Sequence, residues 1–128
     1  MGLVVSHNRK AFAPCPEGLV QAVCVDVVDL GLLPTPWGDK PMVRVVWLTD
    51  QVNPEDGKPF RVMKRYNASL HDKANLCLDL QCWRGRKFTP EEKQAFDLEK
   101  LLGANCQLQV VHNLKEDGEV FANVQAIA

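Results

Sequence analysis

The chain has 128 residues, 46% of them hydrophobic and 24% charged, with a formal net charge of −1. That profile fits one globular domain with a single hydrophobic core. No apolar run reaches the roughly eighteen residues that cross a bilayer, and Met1 to Lys10 lacks the apolar stretch and cleavage site of a secretory signal, so a cytoplasmic protein is expected, with no membrane among its partners.

Residues 1–17, with Asn8, Arg9, Lys10, Pro14 and Pro16, show no sustained periodicity and read as an N-terminal arm; residues 18–128 read as the folded domain. Leu19 to Val28 is rich in β-branched residues and predicts a first strand. Gly31, Pro34, Pro36 and Gly38 then mark a loop that carries Trp37, ended by Pro41. Met42 to Thr49 predicts the second strand and Phe60 to Tyr66 the third, joined by the turn residues Asn53-Pro54-Glu55-Asp56-Gly57. A helix follows, with Ser69 as N-cap and Asp72 three residues on. Leu70, Ala74, Cys77 and Leu80 form its apolar stripe, Leu76 and Trp83 flank it, and Gly85 stops it. Thr89-Pro90-Glu91-Glu92 predicts a second, short helix, with Thr as cap, Pro first and Glu third. The chain then runs through Phe96 and Leu98 to Gly103. Gln107 to His112 is the fourth strand, Lys115 to Gly118 a turn, and Val120 to Ile127 the fifth strand.

The order strand, strand, strand, helix, strand, strand is that of the oligonucleotide-binding fold, a five-stranded Greek-key barrel. The expected class is therefore mainly β, with a helix between strands three and four and a short extra helix before strand four. Closure would also remove the free edges of apolar strands such as Val45-Val46-Trp47-Leu48.

The small net charge conceals an uneven distribution. Residues 58–87 carry eight basic and two acidic side chains, against net charges of −3 before them and −4 after them. Local positive surface of this kind suits a polyanion. On strand three, alternation sets Arg61, Met63 and Arg65 on one face and Phe60, Val62, Lys64 and Tyr66 on the other. The second set is the more apolar and is assigned to the core, with the Tyr66 hydroxyl at the rim. On strand two, Arg44 and Val46 are expected outside, with Val43, Val45 and Trp47 inside. Binding of a single strand needs cations for phosphates and flat side chains for bases. The candidate contacts are Trp37, Lys40, Arg44, Arg61, Arg65, Tyr66, Arg84, Arg86 and Lys87. Trp37 either stacks on bases or folds over the barrel end, whereas Trp83 reads as helix packing.

Catalytic and metal chemistry find little support. No phosphate-cradling GxxxxGK[ST] loop, HExxH helix or G-x-S-x-G elbow is present. The five cysteines (Cys15, Cys24, Cys77, Cys82 and Cys106) include no C-x-x-C pair. They are expected as reduced, mostly structural residues rather than zinc ligands with His7, His71 or His112. Asp26 and Asp29 resemble a metal-binding pair only in spacing, and Ser69, His71 and Asp72 sit where capping accounts for them. The expectation is a non-enzymatic protein without a cofactor.

Several tracts carry a family resemblance: Asp29-Leu30-Gly31, Trp37-Gly38-Asp39-Lys40, the run Lys64 to Lys73, Trp83-Arg84-Gly85-Arg86-Lys87-Phe88-Thr89, Phe96-Asp97-Leu98 with Leu101-Leu102-Gly103, and Phe121-Ala122-Asn123-Val124. In these the chain resembles small phage and prophage single-stranded-DNA-binding proteins of the oligonucleotide-binding fold. The resemblance implies a barrel that coats or escorts single strands in replication or recombination, in the host cytoplasm, as a homo-oligomer or beside replication or recombination proteins. The alternative is an interaction module whose basic stripe docks an acidic protein. Gln125-Ala126-Ile127-Ala128 lie directly on the last strand, without the acidic tail of familiar bacterial single-strand binders, so recruitment through such a tail is not expected.

Overall fold

The computed structural model describes residues 14–114, 118 and 120–128. Five strands, β1 (Gly18–Thr35), β2 (Gly38–Val52), β3 (Pro59–Asn67), β4 (Asn105–Leu114) and β5 (Val120–Ile127), form one antiparallel sheet in the order β3-β2-β1-β4-β5. Helices α1 (Asn75–Arg84) and α2 (Pro90–Gln94) and a 3-10 turn (Leu98–Leu101) fill the connection from β3 to β4. The mainly β architecture and its helical insertion agree with the sequence. The closed barrel does not. The end strands β3 and β5 touch, but no hydrogen-bonded ladder joins them among the described residues. Helix α1 contacts both strands, so this seam is covered by a helix instead of being sealed by strand pairing.

One face of the sheet makes the core. Val20, Ala22 and Cys24 of β1, Val43, Val45 and Trp47 of β2, Val62 and Tyr66 of β3, Cys106, Leu108 and Val110 of β4, and Val124 and Ile127 of β5 are all buried there. Leu76, Cys77 and Leu80 add the buried face of α1. Cys15 belongs to the same cluster, its carbonyl lies 2.7 Å from His112 Nε2, and Glu17 accepts a hydrogen bond from the His112 backbone N–H. The last residues of the expected arm thus pack as part of the domain; residues 1–13 of it lie outside the described residues.

Two boundaries differ from expectation. The loop assigned around Trp37 is a continuation of β1 and β2 into a two-stranded ribbon, turned by Pro36 and Trp37 alone between paired Thr35 and Gly38. Pro34 and Pro41 fit in it because β1 pairs with β4 only as far as Val23, and β2 with β3 only from Met42. The ribbon therefore has outer edges on which a missing N–H leaves no ladder bond unmade. The other difference is the start of α1, at Asn75 behind Ala74, with no side-chain cap. Ser69 Oγ is occupied locally, accepting from the His71 backbone N–H, as serine often does in a turn. The far end is as expected: Gly85 closes α1 in the left-handed region, φ +74°, and donates to the Gln81 carbonyl. The capping box of Thr89 and Glu92 at α2 is also present.

Candidate nucleic-acid interface

The face of the sheet turned away from the core is fixed by register. Arg44 of β2 pairs with Arg65 of β3 on one side and Val28 of β1 on the other. Val46 pairs with Met63 and Asp26, and Leu48 with Arg61 and Val23. Paired residues share a face, so Arg44, Arg61 and Arg65 stand around an apolar centre of Val46, Leu48 and Met63. The strand-three alternation is as expected: Arg61, Met63 and Arg65 are exposed, while Val62 and Tyr66 are buried. Val46 is on the outer face, as expected. It points away from the core yet is only 4% exposed.

Among the described residues, Lys40, Arg44, Arg61 and Arg65 take part in no ion pair. Arg44 is half-buried, and its Nε is shut from solvent without a hydrogen-bond partner. Lys40 lies on the same face of β2, four residues or about 13 Å further along the ribbon. Beyond it, Trp37 is 83% exposed at the tip. The Thr35 hydroxyl shapes that tip, donating to the Gly38 carbonyl at 2.5 Å and accepting from the Trp37 N–H at 3.2 Å. Of the two readings for Trp37, the indole does not fold back over the core.

Two of the nine sequence candidates are taken up internally. Tyr66 is on the core face, and its hydroxyl donates to Asp79 of α1 at 2.6 Å. Burial, then the Asp79 carboxylate, raises its pKa far above the ordinary phenol value. Lys64 reaches the same carboxylate at 2.9 Å. Arg84 is held by Glu92 at 2.6 Å and lies over the Phe88 and Phe96 rings, at 4.3 and 5.7 Å. The Glu92 carboxyl is lowered below its usual range by the Thr89 backbone N–H first and by Arg84 next. Arg86 stands 4.0 Å from Glu92 but is exposed, as is Lys87. These last two belong to the loop after α1, which packs on the core side of the sheet. The basic middle third is thus divided between the outer face, the interior and one separate loop.

Sequence reasoning does not foresee the placement of Asp26. Val20, Ala22 and Cys24 face the core, and simple alternation would put Asp26 with them. A bulge at Val25, between the Cys24–Trp47 and Asp26–Val46 pairs, shifts the phase and sets Asp26 on the outer face. The signal available was the acid itself within an apolar run. Asp29 faces the other way in register and accepts from the Gly31 N–H, so the two aspartates do not converge. No group of three or more metal-ligating side chains occurs among the described residues. The cysteines are free, Cys15, Cys24, Cys77 and Cys106 buried and Cys82 exposed, and burial pushes the Cys106 thiol up to about 12. No described helix is long and apolar enough to cross a membrane. Neither a scan against models of known protein families nor a search of curated proteins returns a match to this chain.

Proposed function

We propose that this chain is a non-catalytic, sequence-tolerant binder of single-stranded DNA, acting in phage-type replication or recombination. On this reading the sheet is an oligonucleotide-binding fold opened between β3 and β5. The strand order β3-β2-β1-β4-β5 supports it, because joining its two ends would give the ring of that barrel. The replication setting rests on the resemblance of the Lys64–Lys73 and Trp83–Thr89 tracts to phage single-strand binders.

The observation that carries the proposal is the set of three arginines without anionic partners, Arg44, Arg61 and Arg65, on one face beside apolar side chains. Surface arginines in a protein of near-neutral charge ordinarily find carboxylates, as Arg84 does here. Three that do not, two of them directly opposed, make a place where a phosphodiester chain gains more than a neutral ligand. Lys40 and Trp37 extend that surface along the ribbon, adding a cation and an exposed ring on which a base can stack.

A fluorescence titration with a mixed-sequence oligonucleotide at two salt concentrations tests this. Quenching of Trp37 with an affinity that falls steeply as salt rises is the expected result. A flat response at low salt overturns the proposal and leaves the docking of an acidic protein as the use of the same face.

A further inference from the structure

The outer face is not uniform across its width. Its arginines belong to β2 and β3, while the β1 side offers Val23, Val28 and a single carboxylate, Asp26, opposite Val46. A polyanion bound on this face would follow the arginines on the β2–β3 side, leaving the β1 side to its bases. Asp26 is exposed and has neither a salt-bridge nor a side-chain hydrogen-bond partner among the described residues. It reaches the face only because β1 is bulged at Val25, and bulges recur where a side chain is re-aimed beside a functional site. A carboxylate there opposes a polyanion electrostatically, so its placement calls for a contact that needs an acceptor and not a cation.

We infer that Asp26 is a base-reading residue, accepting a hydrogen bond from the amino group of a cytosine, adenine or guanine and disfavouring thymine. This rests on the proposed single-strand binding and adds a base preference to it. The ionised carboxylate only accepts. Cytosine offers it an N4 amino group, the pairing by which acidic side chains read that base. Thymine presents carbonyl oxygens on both sides of its N3–H, which repel the carboxylate. Cytosine and thymine strands are both pyrimidine strands, so their comparison isolates the edge from the size of the stacked ring.

The test measures binding of end-labelled oligo-dC and oligo-dT of equal length by anisotropy, at mildly alkaline pH where cytosine strands stay unpaired. Wild type, Asp26→Asn and Asp26→Glu are compared. Wild type is expected to favour oligo-dC by about 3- to 10-fold, the worth of one net hydrogen bond. Asp26→Asn removes a negative charge, so it tightens both strands while bringing their ratio close to one; Asp26→Glu keeps the preference. Equal binding by wild type, or a ratio that Asp26→Asn leaves unchanged, overturns the base-reading role while single-strand binding stands. Failure of wild type to bind either strand overturns both.

Discussion

Arg44 and Arg65 face each other across β2 and β3 as a register pair, and neither forms an ion pair with a carboxylate among the described residues. Like charges directly opposed on a sheet cost stability. Here the cost is compounded by the Arg44 Nε, which is buried with no hydrogen-bond partner. The arrangement is unfavourable in the free protein, and on the proposed reading an anion bound beside the two guanidinium groups would offset that cost.

Arg44→Met keeps the aliphatic stem and removes both penalties. The variant is expected to gain about 1 kcal/mol of stability without ligand, or roughly 4 °C in melting temperature. The same change should weaken binding of a single strand and lower the slope of log affinity against log salt by about 0.7. Thermal unfolding and a salt series check both halves. A variant less stable than wild type would mean that Arg44 is held by contacts worth more than the repulsion.

Trp37 should behave in the opposite way. At 83% exposure on a ribbon tip its ring contributes little to folding, so Trp37→Ala is expected to leave the melting temperature within a degree or so. Its loss should cost about 1–3 kcal/mol of binding if one base stacks on it. Most of the tryptophan quenching should vanish with it, because Trp47 is buried and Trp83 packs against Trp47 and donates to the Asn105 carbonyl. Full quenching in Trp37→Ala would assign the stacking to another ring.

How much of this was legible in the sequence depends on how local the determining physics is. The Thr89 cap, the Gly85 stop and the face assignment of β3 follow from a few neighbouring residues, and each appears as read. The sequence predicts a loop around Trp37 because Pro34, Pro36 and Pro41 break strands in general, whereas the structure has a paired ribbon there. They are tolerated here because the strands beside them end early, a fact of tertiary placement. The internal partners of Arg84 and Tyr66 are not legible for a similar reason: Glu92 and Asp79 lie eight and thirteen residues away, brought near by α1 and the turn after it. The bulge at Val25 leaves only an indirect trace, an acid where alternation puts the core.

Arg84 and the neighbouring cations provide a direct comparison of structural and binding roles. The Arg84 side chain is 13% exposed and is shared between Glu92 and two aromatic rings. Arg84→Ala is expected to cost about 1–3 kcal/mol of stability through a lost charge-assisted hydrogen bond and lost packing. Arg86→Ala and Lys87→Ala should change it by less than about 0.5 kcal/mol. Denaturant unfolding of the three variants checks the ranking. If Arg84→Ala were neutral for stability but weakened binding of a single strand, its pairing with Glu92 would have to open when the strand binds.

The hydroxyl of Tyr66 gives the fold a dependence on alkaline pH. Its ring is buried in the core and its proton is donated to Asp79, which also pairs with Lys64. Ionisation would place a phenolate beside a carboxylate in a poorly hydrated site, so the folded-state pKa is raised above the unfolded value of about 10. A group raised in the folded state contributes fully below its unfolded pKa and loses that contribution as pH climbs toward the folded one. Wild-type stability is therefore expected to fall above about pH 10 through this group. Tyr66→Phe should lose about 1–2 kcal/mol at neutral pH, since Asp79 keeps only Lys64, and should show a shallower decline on the alkaline side. Denaturant midpoints measured from neutral pH to above 10 compare the two slopes. Parallel declines in the two proteins would place the alkaline sensitivity on other groups, the lysines included, and remove Tyr66 from its origin.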